Sequence, residues 1–99
     1  MSGNVVRIGD KVSCGDNSAS GSGNVFANGM PITHNALKKT TGHGCFHPTV
    51  FIGPWTRTVF VNNEPVALKG KTRIQPHKCR KSVHDGIAST GAPTVYFEE

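Results

Sequence analysis

The chain is short of acidic residues, aromatic residues and long apolar runs, and its cysteines are odd in number; each shortage removes a class of protein. No apolar run approaches the ~18 residues that a membrane-spanning helix needs. The first ten residues, MSGNVVRIGD, hold no basic stretch followed by an apolar one, so they do not read as a secretory signal. Both features predict synthesis as a soluble cytoplasmic product, with any export by another route. Three cysteines exclude a fully paired disulfide framework within one chain. In a reducing compartment, thiols beside histidines favour metal binding or reactivity over a bridge. There is no His-Glu-x-x-His motif of a metalloprotease. Zinc-finger DNA readers combine a Cys-x2–4-Cys pair with a helix carrying His-x3–5-His, and neither the cysteine pair nor such a helix is read here. Acidic residues number 6 against 11 Lys and Arg, and six of the cations (Lys69, Lys71, Arg73, Lys78, Arg80 and Lys81) fall in one short segment. No aromatic residue is interleaved with that segment, so stacking on single-stranded nucleic acid is unsupported and no nucleic-acid partner is expected.

What the chain does have is turn-forming residues and internal repetition. Its 99 residues make one domain, 1–99, and 12 glycines with 6 prolines suit short strands joined by tight turns. GNVFANGMPI (23–32) resembles RTVFVNNEPVA (57–67), and PTVYFEE (93–99) reads as the opening of a third copy. The aligned valines are Val25, Val59 and Val95. Val25 and Phe26, Val59 to Val61, and Val95 to Phe97 are β-branched or aromatic and favour strands. Asn28-Gly29 and Asn62-Asn63 tolerate the positive φ of a type I′ hairpin turn. An N-terminal strand, NVVRIGD, precedes the first unit. Three polar connections, about 11–22, 33–56 and 69–92, carry every His and Cys. If the hairpins surround one axis, their turns lie at one end and all of these residues at the other.

The segments VVRIGDKVSCGD, GNVFANGMP, GHGC, TVFVNNEPVA, PHKC, HDG and GAPTVYF together resemble the PAAR-repeat family over nearly the whole chain. The resemblance implies an all-β fold: a small conical β-prism of three hairpin repeats, with a pseudo-threefold base and a metal-tied apex. It implies a structural, non-enzymatic protein that caps the trimeric β-helical spike of a contractile injection machine, either a type VI secretion system or a phage tail, and forms a sharp apex for envelope penetration. The expected partners are the trimeric spike protein (the secretion-system spike or the phage central spike), effectors, and transiently the target membrane. The expected destination is the virion tail tip or secretion by the contractile machine. The base residues expected to meet the spike are Val25, Phe26, Val59, Phe60, Val95, Tyr96 and Phe97. The signature departs from the family pattern at Pro31-Ile32-Thr33-His34 and Pro65-Val66-Ala67-Leu68, and only Gly9-Asp10 keeps the Gly-Asp strand end.

The family's zinc ligands are three histidines and one cysteine. Carried over by motif, they are His43 in GHG, His77 and Cys79 in HKC, and His84 in HDG. Cys45 is a rival for Cys79, because HGC is also a His-x-Cys pair; Cys14 and His47 are weaker candidates. Residues two apart on an extended segment face the same way, so His77 and Cys79 can share an ion. A physical argument for a metal needs no family. The third connection is long for a loop without regular structure. Ordering it costs about 1–2 kcal/mol per residue, which a tetrahedral zinc worth on the order of 10 kcal/mol can offset. The competing reading is a zinc-dependent enzyme or nuclease, but acidic residues to act as base are scarce: Asp85 reads as a turn or ligand-supporting residue, and no catalytic residue is assigned. Trp55 reads as a loop aromatic packed over a small core.

Overall fold

The computed structural model describes residues 2–99 and is all-β: ten short strands and no helix among those residues. The strands are β1 (Gly3–Asn4), β2 (Phe26–Ala27), β3 (Met30–Pro31), β4 (Phe51–Gly53), β5 (Phe60–Val61), β6 (Glu64–Pro65), β7 (Arg73–Ile74), β8 (His77–Cys79), β9 (Ser82–His84) and β10 (Tyr96–Phe97). They pair antiparallel as β2–β3, β5–β6, β8–β9, β4–β7 and β1–β10.

Two hairpins follow directly from their turn residues. Asn28 and Gly29 have φ of 49° and 79°, and Asn62 and Asn63 have 52° and 66°. Positive φ at both central positions is what a type I′ turn needs to match the twist of its strands. The registers coincide: Phe26 faces Pro31 and Phe60 faces Pro65. The third unit differs from the sequence expectation in an informative way. Tyr96 faces Asn4 in the corresponding register. The N-terminal strand therefore does not merely precede the first unit; it supplies the second arm of the third. Only pairing across the whole chain reveals this, because no turn joins the two arms.

Backbone hydrogen bonds then run in closed rings around the three units. Val6 N–H donates to Ala67 O (2.9 Å), Ala67 N–H to Thr33 O (3.2 Å), and Thr33 N–H to Val6 O (2.9 Å). One step outward the pattern repeats: Ile8 donates to Pro31, Asn35 to Pro65 and Lys69 to Asn4. Ser22, Thr56 and Ala92 donate to Ile32, Val66 and Val5. The hairpin turns are linked in the same cyclic sense. Asn28 Nδ2 donates to Thr94, Asn62 Nδ2 to Ser22 and Asn24, and the Glu99 carboxylate accepts from the backbone of Arg57, Thr58 and Val59. Strands this short have little pairing of their own, so closure into rings is what satisfies the central backbone groups.

The rings separate two apolar layers. On the hairpin side lie Val5, Ala27, Ile32, Val61, Val66, Leu68 and Ala92, with Val25, Val59, Val95 and Phe97 packed against them. On the connection side lie Val6, Val12, Phe51, Ala67, Ile74 and Ala88, with Cys14 and Trp55 against them. Trp55 thus packs over a small core, as its sequence context suggested. The connections also pair with one another in rotation: Val12 with Ala88, Thr40 with Ser18, and Ile74 with Phe51. The resulting body measures 38 × 24 × 23 Å, long in one direction and nearly equal in the other two.

Phe51 is fully buried and is the largest side chain in the connection-side layer. Phe51→Ala should cost about 3–5 kcal/mol of unfolding free energy, read as a lower urea midpoint at unchanged slope. A loss below roughly 1 kcal/mol would mean that this layer is not packed as described.

His34 occupies the position held by Arg7 and Leu68 in the other two units, and it is buried. Its Nδ1 accepts the Ala36 N–H, and its Nε2 has no hydrogen-bond partner among the described residues. Burial lowers its pKa from the usual 6.5, with Glu64 pulling weakly the other way. The unfolded chain therefore takes up a proton that the folded one resists. Stability is full above pH 6.5 and declines as pH falls from there toward the lower folded-state value. His34→Leu, which copies the third unit, should remove that part of the pH dependence. An unchanged stability profile between pH 7 and 5 would contradict this account.

Candidate metal centre

Three segments deliver side chains to the far end of the connections. The first is the tight turn Val12–Asp16, closed by Val12 N–H to Asp16 O (2.8 Å) and Gly15 N–H to Val12 O (3.0 Å). The second is the turn His43–Phe46, whose ends exchange hydrogen bonds of 3.0 and 2.8 Å. Gly42 enters it at φ 71°, and a Cβ there would lie 2.6 Å from Phe46 O, so only glycine fits. The third is the β8–β9 hairpin, in which His77 faces His84 and Cys79 faces Ser82. Its two-residue turn starts at Arg80 with φ 54°.

The side chains meet around Asp16. Its carboxylate is fully buried, accepts from Thr40 Oγ1 (2.9 Å), and is hydrogen-bonded to His43 Nδ1. His77 Nε2 stands 3.6 Å from Oδ2, the oxygen that Thr40 also bonds, while His43 bonds Oδ1. Donor atoms of Cys14, Asp16, His43 and His77 all lie within 4.8 Å of one another, a group that can hold a metal ion. His84 adjoins it, with its Nδ1 3.0 Å from His43 Nε2. Two nitrogens on one tetrahedral zinc sit roughly 3.4 Å apart, given Zn–N bonds of about 2.0–2.1 Å, so this pair is a few tenths of an ångström from a shared-ion geometry. The His84 ring stacks on Phe46 at 3.6 Å between centroids, which walls one side.

Two observations test whether these residues suit a metal. His77 is buried, and among the described residues neither of its ring nitrogens has a hydrogen-bond partner, although Nε2 faces Asp16 at 3.6 Å. A buried imidazole with both nitrogens idle is costly unless something is meant to meet it. Asp16, for its part, binds His43 through Nδ1 and so turns Nε2 toward His84 and the cluster, the arrangement by which a carboxylate orients a metal-binding histidine. Imidazole and thiol donors select zinc-like ions rather than magnesium or calcium.

Of the residues expected from the sequence, His43, His77 and His84 do come together, with ring centroids 5.0–6.0 Å apart. Cys79 and Cys45, proposed as alternatives for one sulfur ligand, are instead joined to each other in a disulfide, with Cα atoms 5.7 Å apart. While it is closed, neither is a thiolate ligand. The expectation that these thiols favour metal over a bridge thus gives way to geometry. The two cysteines are 34 residues apart, as are His43 and His77, Val25 and Val59, and Phe26 and Phe60. Equivalent positions in adjacent units are brought face to face. His47 is exposed and outside the cluster, and Asp85 is exposed as well.

Sequence reasoning missed Asp16 and underrated Cys14. A signal was available: Cys14 and His84 each stand eight residues before equivalent buried positions, Ser22 and Ala92. The shorter first connection hid that correspondence.

The base residues separate into two sets. Val25, Val59, Val95 and Phe97 are half-buried against the hairpin-side core. Phe26, Phe60 and Tyr96 point outward, 55%, 56% and 54% exposed. No protein-family model, curated protein or solved structure matches the chain.

The idle nitrogens of His77 give a two-sided test. In metal-free protein, His77→Phe should be neutral or stabilising, because it removes an unsatisfied buried group worth about 1–3 kcal/mol. Added zinc should raise the melting temperature of the wild type, by about 2.7 kcal/mol of stability at a hundredfold excess over Kd, and leave the variant unmoved. Equal zinc responses in the two proteins would remove His77 from the site.

Proposed function

We propose that the protein is a structural spike tip of the PAAR-repeat kind. Its hairpin end seats on the end of a trimeric β-helical spike in a contractile injection machine, and its connection end is stiffened by zinc. The observation that carries this reading is the matched exposure of Phe26, Phe60 and Tyr96. They occupy one position in each of three units that hydrogen bonds tie into rings. A trimer end offers three equivalent sites, and a single chain can engage them equally only if it carries three equivalent contacts. Exposed aromatic anchors are the residues that dominate binding energy at such interfaces.

The opposite end supports a load-bearing role. Zinc held by imidazoles of His43, His77 and His84 together with cysteine sulfur would tie the second and third connections to one point, where strands of two or three residues provide little stiffness of their own. This end leads into the target envelope. Exposed Lys78, Arg80 and Lys81 on the β8–β9 hairpin suit transient contact with an anionic membrane surface. Effectors ride on the same assembly as separate chains.

The test is co-elution with a trimeric β-helical spike protein from a type VI secretion system or a phage tail. One chain should bind per trimer. Each of Phe26→Ser, Phe60→Ser and Tyr96→Ser should weaken binding about tenfold or more, as truncation of an interface anchor does, and the three effects should be similar. Undiminished binding by the triple variant, or a stoichiometry of three chains per trimer, would rule the reading out.

A further inference from the structure

The connection end holds more ligand atoms than one ion needs. Cys14, Asp16, His43 and His77 cluster there with His84 beside them, and Cys45 and Cys79 stand two residues beyond His43 and His77 on the same turn and hairpin, while a structural zinc takes four. The surplus has an order. His43-Gly44-Cys45 and His77-Lys78-Cys79 are the same His-x-Cys arm, presented by two equivalent units 34 residues apart and joined at their cysteines.

We propose that these two arms form a redox-gated zinc site: reduced, Cys45 and Cys79 bind zinc together with His43 and His77; oxidised, the same sulfurs form the disulfide and the ion is released. This inference rests on the metal reading above and revises its ligand set: in the reduced state Cys45 and Cys79 take the places given there to His84 and a single sulfur, and thiol chemistry controls the site.

The spacing of the two cysteine backbones suits both states of their sulfurs. Two thiolates on one zinc lie roughly 3.8 Å apart, given Zn–S bonds of about 2.3 Å, against about 2.05 Å in a disulfide. The Cα separation of 5.7 Å suits either state. Opening the bridge places each sulfur two residues from an imidazole on the same arm, and His77 has both nitrogens waiting. Two thiolates and two imidazoles are a common structural zinc set. With the bridge closed, what remains is Cys14, Asp16, His43 and His77, in which a carboxylate oxygen and one sulfur replace two sulfurs. That is a weaker site for a thiolate-seeking ion. Cys45 is exposed and Cys79 half-exposed, so soluble thiols and disulfides can reach them.

The step balances with a low-molecular-weight disulfide, RSSR, as oxidant. One zinc-bound thiolate attacks RSSR, breaking its S–S bond and expelling RS⁻. The second thiolate then displaces the other RS⁻ and forms the Cys45–Cys79 bond. The protein thiolates lose two electrons, RSSR gains two, two protons convert the leaving groups to two RSH, and Zn²⁺ departs. Reduction by a dithiol runs the sequence in reverse.

The experiment follows zinc and thiols together on the full chain. Reduced protein should hold about one zinc per chain after gel filtration. Excess oxidised glutathione should release it to a chromophoric chelator in step with the loss of two thiols, leaving Cys14 as the single free cysteine. Under reducing conditions Cys45→Ser should bind zinc at least about tenfold more weakly than wild type, the scale on which disturbed ligand shells lose metal. Zinc retained after the bridge has formed, or Cys45→Ser binding zinc as tightly as reduced wild type, overturns the proposal while leaving a metal site in place. Failure of both the reduced and the oxidised chain to take zinc overturns the metal reading with it.

Discussion

Everything in this fold hangs on three backbone hydrogen bonds, Val6 to Ala67, Ala67 to Thr33 and Thr33 to Val6. Each partner comes from a different unit, so no unit satisfies its own central groups. The residues must be small or slender, and they are: valine, threonine and alanine, all fully buried. Where the threonine introduces a hydroxyl, Ser18 and the Ser20 carbonyl take it up. The ring fixes the azimuth of every element beyond it, and so decides which side chains meet at each end.

This constraint explains which parts of the structure could be read from the chain. The hairpins were legible because Asn28-Gly29 and Asn62-Asn63 carry a local requirement, positive φ, that few other residues meet. The all-β class followed from repeat spacing and turn residues, which also placed every His and Cys at one end; the choice of His43, His77 and His84 among them came from the family resemblance. Two things were not legible. The pairing of β1 with β10 has no turn to announce it. The role of Asp16 depends on a burial that its loop setting conceals: a lone aspartate in a Gly-rich turn looks like a turn residue until Thr40 and His43 are placed against it. The disulfide was a different failure. Compartment chemistry argued against it, whereas repeat geometry brings Cys45 and Cys79 together.

The two ends solve different problems with the same threefold frame. At the hairpin end the frame keeps three units alike, and their outward aromatics repeat with them. At the connection end it lets them diverge: one turn contributes Cys14 and Asp16, one His43 and Cys45, and one a whole extra hairpin with His77, Cys79 and His84. Sequence similarity is accordingly highest near the hairpins and fades toward the cluster. Charge follows the same division. Glu64, Glu98 and Glu99 lie with the hairpins, whereas the dense run of lysines and arginines belongs to the third connection.

The third hairpin, assembled from Gly3–Asn4 and Tyr96–Phe97, has a kinetic consequence. Two hairpins can form locally as soon as their arms exist, but the last requires residues 94 apart in the chain to find each other. Completion of the third unit is therefore a late event of high contact order, slow on the scale of small domains. During synthesis this unit stays open until β10 has cleared the ribosome. Over that interval the unpaired edge of β1 is exposed, and it is the point where a holding chaperone would have most to protect.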